Sequence, residues 1–450
     1  MLSLGKLVAF ASPAAPIAAV GLPLVVYLPP FYAHEMGLGL SVVGTVFMIT
    51  RFWDVLADPI LGVLSDRLHS RWGRRRPWVA LSVPVVVTAA AMIFLPTPPV
   101  SAGYLLGWLV LLYVGWSLLT ISHMSWGAEL TPDYNERSRV QGWREIFLIG
   151  GMVTALALPA VIERTDPGAT GADRVEAMGW YIILLLPLTV AWAVLTVPEQ
   201  PVPESAPLGW RRALALVVGN RPLRRLLLMD LVGGLGGGII AALFLFVAAD
   251  RLALGRWASV LLLVYFLAGC LFVPLMVRVS YRFGKHQTLA ASSLFSGLTL
   301  PLLFFLPAGD IPVAAATFAL FGVNMGAGPF LFRSIMADVA DHDRVESGAQ
   351  RTGLYFSLLT MTNKLGHALS IGIVYPLLDW IGYTPGAANS AAAVTGLTAL
   401  AVWPPIVCGL VVAAFMWRFP IDIHRQAELR RIIEASDLAA AEGSFSKEAS

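Results

Sequence analysis

The sequence predicts an all-α polytopic membrane protein, with twelve transmembrane helices in two pseudo-symmetric bundles of six. Three observations carry this expectation. Of the 450 residues, 57% are hydrophobic and only 13% charged, with a mean hydropathy of +0.73; soluble globular chains carry about 25% charged residues. Runs of about 20 apolar residues, each long enough to cross a hydrocarbon core of about 30 Å, recur along the whole chain. They are continuous rather than alternating, and a span must satisfy its own backbone, so they read as helices and not as barrel strands. The chain also repeats itself. "PILGVLSDR" at 59–67 aligns with "PLMVRVSYR" at 274–282, and the triplet "WGR" at 72–74 with "FGK" at 283–285. "AELTPDYNER" at 128–137 echoes "ADVADHDR" at 337–344. Two six-helix halves in parallel repeat follow from this.

The spans fall at 10–33, 40–64, 77–96, 101–129, 142–163 and 177–197, then at 223–249, 257–281, 286–306, 311–338, 352–380 and 390–418. The first is rich in proline, which predicts a bent helix. Its start resembles a secretory signal, but the apolar run continues to about residue 32 and fits a membrane span better. Between spans six and seven lies "PEQPVPESAPLGWRRALALVVGNRPLRR", rich in Pro and Arg and the natural hinge between two halves. The expected organisation is therefore an N-terminal bundle at 1–197, a linker at 198–222, a C-terminal bundle at 223–418 and a tail at 419–450, in which 425–442 can form an amphipathic helix. Lys and Arg set the orientation. With this topology 25 of them fall on the side of the termini and linker and 4 on the other, Arg164, Arg174, Arg251 and Arg256. Both termini are expected in the cytoplasm and the protein in the cell membrane. Cys270 and Cys408 sit in apolar runs and read as small core residues.

Charges inside the spans are the next signal. Asp54 and Asp58 are four apart, so they share a helix face, with Arg51 beside them. Lys364 lies about 18 Å into span eleven at 1.5 Å per residue. An ionised Asp at mid-bilayer costs about 2.5–3.5 kcal/mol even on the most lenient scale, so such groups face a cavity or a partner. One reading is a cation site in which the two carboxylates take up H⁺ or Na⁺ and Lys364 neutralises them when it is empty. The other is an ion pair that only closes a helix interface. His123 and Trp126, three apart on span four, suit a solute pocket, with His123 as hydroxyl partner or proton relay; packing in the core is the alternative. Tyr27 and Tyr32 are the hydroxyl-bearing side chains of span one. No Gly-x-Ser-x-Gly, phosphate-binding loop or zinc spacing occurs in a credible context, so neither an enzyme nor an ATP-driven pump is expected. No cofactor and no nucleic-acid partner is implied; the expected partners are a small solute and the bilayer, met by a monomer.

"GVLSDRLHSRWGRRR" resembles the loop 2–3 signature of the major facilitator superfamily, Gly-x-x-x-Asp-Arg followed by Gly-Arg-Arg. "RFWDVLADPILG" with "SRWGRRRPW", "WGAELTPDYNERSRVQGWRE" and "MADVADHDRVESGAQRTGLYFSLLTMTNK" are similar to blocks of the glycoside–pentoside–hexuronide:cation symporters, the group of melibiose permease. The resemblance runs from about residue 4 to 418. It implies cation-coupled symport of a small organic solute, sugar- or glycoside-like, by alternating access. A lysolipid-like solute, or a flippase without ion coupling, is the alternative. It also implies that Asp54 and Asp58 bind the cation (as metal ligands if it is Na⁺), with Lys364 beside them, and that Trp126 lines the solute pocket. Tyr27, Tyr32, His123 and Arg144 join the expected solute site. Asp66, Arg67, Glu129, Arg137, Arg144, Asp338 and Arg351 are expected to latch the cytoplasmic helix ends. The sequence departs from the pattern of the group at three places. Ala57 stands where an asparagine completes the sodium site, which favours H⁺ here, and Ala18 and Ser122 stand where aspartates hold a galactosyl ring, which disfavours melibiose itself.

Overall fold

A computed structural model describes residues 2–67, 73–131, 134–166, 168–199, 219–325, 327–347, 352–433 and 435. Twelve helical spans cross it. They are α1 (Leu4–Val26), α2 (Leu40–Arg67), α3 (Arg76–Phe94), α4 (Ala102–Glu129), α5 (Tyr134–Thr165) and α6 (Gly171–Thr196), then α7 (Arg221–Phe246), α8 (Ala258–Phe283), α9 (Lys285–Thr299), α10 (Ile311–Glu346), α11 (Thr352–Trp380) and α12 (Ala391–Trp417). Eleven are apolar enough to be read as spans from composition. The exception, α11, is 29 residues long, ample for a bilayer. Asn363, Lys364 and His367 dilute its apolar character, and its partners below explain why that is tolerated.

α1 breaks into Leu4–Ala11, Ala14–Gly21 and Pro23–Val26. Its prolines lack the N–H that an unbroken helix needs, and each restricts the residue before it. It begins several residues earlier than expected, and α5 likewise extends back to Tyr134, because polar helix ends project beyond the apolar run that marks a span. α10 breaks after Gly322 and resumes at Ala327.

The repeat is visible in the fold. α1 and α7 both lead into a single π-helical turn, Phe31–Glu35 and Val247–Arg251. Each turn is closed by the same bond, Leu38 N–H to Tyr32 O at 3.1 Å and Leu254 N–H to Ala248 O at 2.8 Å. At the other face Arg74 pairs with Glu129 at 2.6 Å and Lys285 with Asp338 at 2.7 Å. These are the residues that the aligned triplets and the echoed block place in register.

Within the C-terminal half α7 packs closely on α11 through glycines. A Cβ on Gly366 would lie 2.5 Å from Leu231 O and 2.7 Å from Leu235 N. Both are backbone atoms, so Gly366→Val must push the helices apart. Overpacking costs about 1–3 kcal/mol, and the expected outcome is a clear drop in the thermal unfolding temperature of the purified protein in detergent. An unchanged temperature would show that the helices can separate freely.

The halves meet along α2 and α11, α5 and α8, and α1 and α7. Ser41 donates to Asp379, Tyr27 to Ser259 and Arg164 to the carbonyl of Arg256. All of these lie towards the face away from the termini. No hydrogen bond or ion pair among the described residues joins the halves nearer the terminal face than Lys364. The conformation is thus closed on the opposite face.

Candidate functional site

Midway along the interface, Lys364 of α11 reaches both carboxylates of α2. Its Nζ lies 2.9 Å from Asp54 Oδ2 and 2.6 Å from Asp58 Oδ2. The four-residue spacing stacks the two acids one turn apart, and one ammonium from the opposing half spans them. Asp54 is fully buried, and its other oxygen accepts from Ser117 of α4 at 2.8 Å. Asp58 is less enclosed, and its Oδ1 has no hydrogen-bond partner among the described residues. One ammonium against two carboxylates leaves one negative charge. A proton or a monovalent cation would balance it, and only oxygen ligands are on offer, which suits a hard cation. Ala57 is buried on the same helix and adds no side-chain oxygen. Among the described residues no group of three His, Cys, Asp or Glu is placed to hold a metal. Arg51, one turn before Asp54, makes no ion pair with a described residue; its guanidinium lies 4.9 Å from the centre of the Tyr113 ring.

Trp126 and His123 are fully buried inside the N-terminal half rather than facing lipid or an open gap. Phe10 of α1 lies between them, stacked on His123 at 4.6 Å and edge-on to Trp126 at 5.6 Å. His123 Nε2 bonds to Phe10 O at 2.8 Å, while its Nδ1 and Trp126 Nε1 have no hydrogen-bond partner among the described residues. Tyr27 and Tyr32 have their hydroxyls occupied: Tyr27 donates to Ser259 at 3.0 Å and Tyr32 to Ile93 O at 2.9 Å. In this conformation neither hydroxyl is presented to a solute.

Of the expected latch, Glu129 is engaged within its own half by Arg74 and Arg75, and Asp338 by Lys285. Arg144 makes no ion pair with any described residue. The side chains of Asp66, Arg67 and Arg137, and the whole of Arg351, lie outside the described residues.

Sequence reasoning missed two groups. Asp230 of α7 is buried, and Thr362 of α11 donates to it at 2.7 Å, two residues before Lys364; a lone acid in an apolar run was the available signal. Glu163 closes the opposite face. It pairs with Arg174 at 2.9 Å and, across the interface, accepts from Ser259 Oγ at 2.6 Å and Ser259 N at 3.1 Å. Its carboxylate thereby satisfies a free N–H in the first turn of α8, where an anion is favoured. Glu163→Ala should unlatch this face. A cysteine placed at Ala258 should then react several-fold faster with a membrane-impermeant thiol reagent from that side, whereas an unchanged rate would leave closure to the helix packing alone.

Twelve helices in repeated halves around a buried, cross-half charge cluster define a secondary transporter of the major facilitator superfamily. The chain matches the family described as MFS/sugar transport protein over residues 9–423 and belongs to it. It is a transporter and not an enzyme. A glucuronide carrier protein homolog of Escherichia coli K12 is 24% identical over 417 residues, covering 90% of this chain and 89% of that protein. The human sodium-dependent lysophosphatidylcholine symporter 1 is 24% identical over 431 residues, covering 87% and 78%. Among solved structures, a nucleoside transporter superposes with a TM-score of 0.71 at 15% identity, covering 91% of this chain and 99% of that one.

Proposed function

We propose that this protein is a symporter that moves a small, sugar- or glycoside-like solute together with a cation by alternating access. The observation that carries the reading is the contact of Lys364 with both Asp54 and Asp58. It joins the two halves through a cluster with one uncompensated negative charge. Cation occupancy changes that charge, and so changes the attraction that holds α11 to α2. Coupling of this kind needs only a difference in cation affinity between the two conformations. Trp126 and His123, enclosed around Phe10 in this conformation, form with Arg144 the solute end of the site once it opens, and the latch residues Asp66, Arg67, Glu129, Arg137, Arg144, Asp338 and Arg351 join the terminal helix ends in the alternate conformation. The arginine-rich terminal face is cytoplasmic by the distribution of Lys and Arg, the membrane is the cell membrane, and the protein acts as a monomer.

The glucuronide carrier homolog supports a sugar-like solute and the sodium-dependent symporter supports cation coupling. H⁺ is the preferred ion, because Ala57 removes one neutral oxygen from a cluster that would need several for Na⁺. A ligand that binds only the folded state raises stability, so a thermal-shift screen of purified protein provides the test. Sugars, glycosides and lysophospholipids would each be tried at two pH values, with and without Na⁺. The expected result is stabilisation by a sugar or glycoside that varies with pH. Stabilisation by lysophospholipids alone would overturn the sugar assignment, and ligand binding indifferent to both pH and Na⁺ would overturn coupling.

A further inference from the structure

One buried acid stands apart from the cluster of Asp54, Asp58 and Lys364. Asp230 of α7 is only 3% exposed, and no cation among the described residues pairs with it. It lies about 14 Å along α7 from Arg221 at 1.5 Å per residue, deep within the span. An ionised carboxylate at that depth is costly without a partner. The charged and titratable groups on the helices around it are otherwise engaged. On α11, Lys364 is held by Asp54 and Asp58, and His367 by the carbonyl of Asn363. On α10, Asp338 is held by Lys285, while the charge of Arg333 is felt at Asp230 without pairing. Arg225 of α7 itself donates to Phe415 O. α12 brings the thiol of Cys408, packed against Gly236, and α1 meets α7 through its uncharged segment Pro23–Val26.

The contact that holds Asp230 suits a hydrogen that changes owner. Thr362 Oγ1 lies 2.7 Å from Asp230 Oδ2 and 2.9 Å from Leu359 O. A threonine hydroxyl has one hydrogen, so it cannot donate to both acceptors at once. When Asp230 is ionised, the hydroxyl donates to the carboxylate. When Asp230 holds a proton, its own O–H donates to Thr362 Oγ1, and the threonine hydrogen turns to Leu359 O. Both states use the same heavy-atom positions, so a proton can come and go without any movement of the helices. Ser117 on Asp54 has no such second acceptor among the described residues: its Oγ bonds to that carboxylate alone.

We propose that Asp230 and Thr362 form a second proton-binding site, in the C-terminal half, coupled through α11 to the Lys364 cluster. This rests on the transport reading above and adds to it a proton that Asp54 and Asp58 do not carry. The step is a proton transfer alone. Asp230 takes up H⁺ on Oδ2, becomes neutral and donates that hydrogen to Thr362; release returns the carboxylate. Thr362 and Lys364 are two apart on α11, so they project to different sides, one to α7 and the other to α2. Charges in a low-dielectric interior act across a single helix. With Asp230 neutral, Lys364 is drawn to Asp54 and Asp58 alone. With Asp230 ionised, the ammonium is also drawn towards α7, and its hold on the other half weakens.

Infrared difference spectroscopy of the full-length protein in bilayers, between acid and alkaline buffers and without solute, tests the site with H⁺ as the only ligand. The readout is the carbonyl stretch of a protonated carboxylic acid. The wild type is expected to show a band that persists above the ordinary carboxylate range of about pH 4, shifts in deuterated water and is missing from Asp230→Asn. Thr362→Val should keep the band and move it to higher frequency, because its hydrogen-bond partner is gone, and Thr362→Ser should restore its position. Valine matches threonine in shape, so Thr362→Val remains informative if Asp230→Asn folds poorly. Coupling is read from the pH at which half of the band is lost. Asp54→Asn removes negative charge beside Lys364 and should lower that midpoint; Lys364→Gln removes positive charge and should raise it. Each shift should be about one pH unit, tenfold in proton affinity. A band untouched by both Asp230→Asn and Thr362→Val, or no protonated carboxyl above the ordinary range, would overturn the proton site. A midpoint unmoved in both Asp54→Asn and Lys364→Gln would overturn the coupling. Either failure leaves the transport reading intact, since no solute is involved. Absence of counterflow with every solute would remove the transport reading itself, whatever the band shows.

Discussion

Asp54→Asn is expected to abolish gradient-driven accumulation of solute while leaving exchange and downhill flux partly intact. The carboxylate is fully buried and holds Lys364 on one oxygen and Ser117 on the other. With asparagine in its place, the cluster is reduced to Lys364 and Asp58, which are neutral together and have no charge left for a cation to balance. The amide can still accept from Ser117, so the local packing is preserved. Coupling free energies between sites of about 1–3 kcal/mol correspond to about 5- to 150-fold in affinity, and the loss of concentrating power should fall in that range. Steady-state uptake by proteoliposomes, compared with solute exchange at equilibrium, separates the two effects. Wild-type accumulation by Asp54→Asn would remove Asp54 from coupling.

A large effect of a different kind is expected from Gly372→Leu. Gly372 of α11 faces α2 across the halves, and a Cβ there would lie 2.3 Å from Met48 Sδ and 2.8 Å from Met48 Cβ. Gly44 of α2 is matched in the same way, with a Cβ falling 2.9 Å from Tyr375 Cβ and 3.1 Å from Ile371 O. The two glycines let the helices approach closely enough to seal the face away from the termini. A leucine at 372 leaves the core of each half intact and obstructs only their meeting. At about 1–3 kcal/mol for overpacking, the ratio of closed to open opposite face should shift by about 5- to 150-fold. Transport should slow accordingly while the unfolding temperature stays near that of the wild type. The contrast with Gly366→Val is the informative part, since that glycine lies within one half. Loss of folding in Gly372→Leu comparable to that in Gly366→Val would mean that the two halves do not behave as separable bodies.

What the sequence revealed followed from cost. Charges in apolar runs must find partners, so Asp54, Asp58 and Lys364 could be named as a group, although they are more than 300 positions apart. The aligned triplets put Arg74 and Lys285 in register, and the echoed block did the same for Glu129 and Asp338; the two ion pairs fall at those positions. Ser117 was not legible, because a serine in an apolar run is ordinary until a carboxylate is found beside it. The hold of Glu163 on Ser259 was hidden for a related reason: its acceptor bond runs to a backbone N–H, which every residue offers. Trp126 and His123 were legible as a pair, but their enclosure around Phe10 was not, since helix spacing gives a face and not the element that covers it. The closed opposite face could not be read at all. It depends on glycines whose role appears only when two distant helices touch.

The central claim is that a cation bound at Asp54 and Asp58 drives solute uphill. Its most direct test is accumulation of a labelled solute by proteoliposomes with an imposed proton gradient, an imposed sodium gradient, or neither. The expected result is uptake above equilibrium under the proton gradient, collapsed by a protonophore and absent in Asp54→Asn. Uptake that stops at equilibrium whichever gradient is imposed would contradict it.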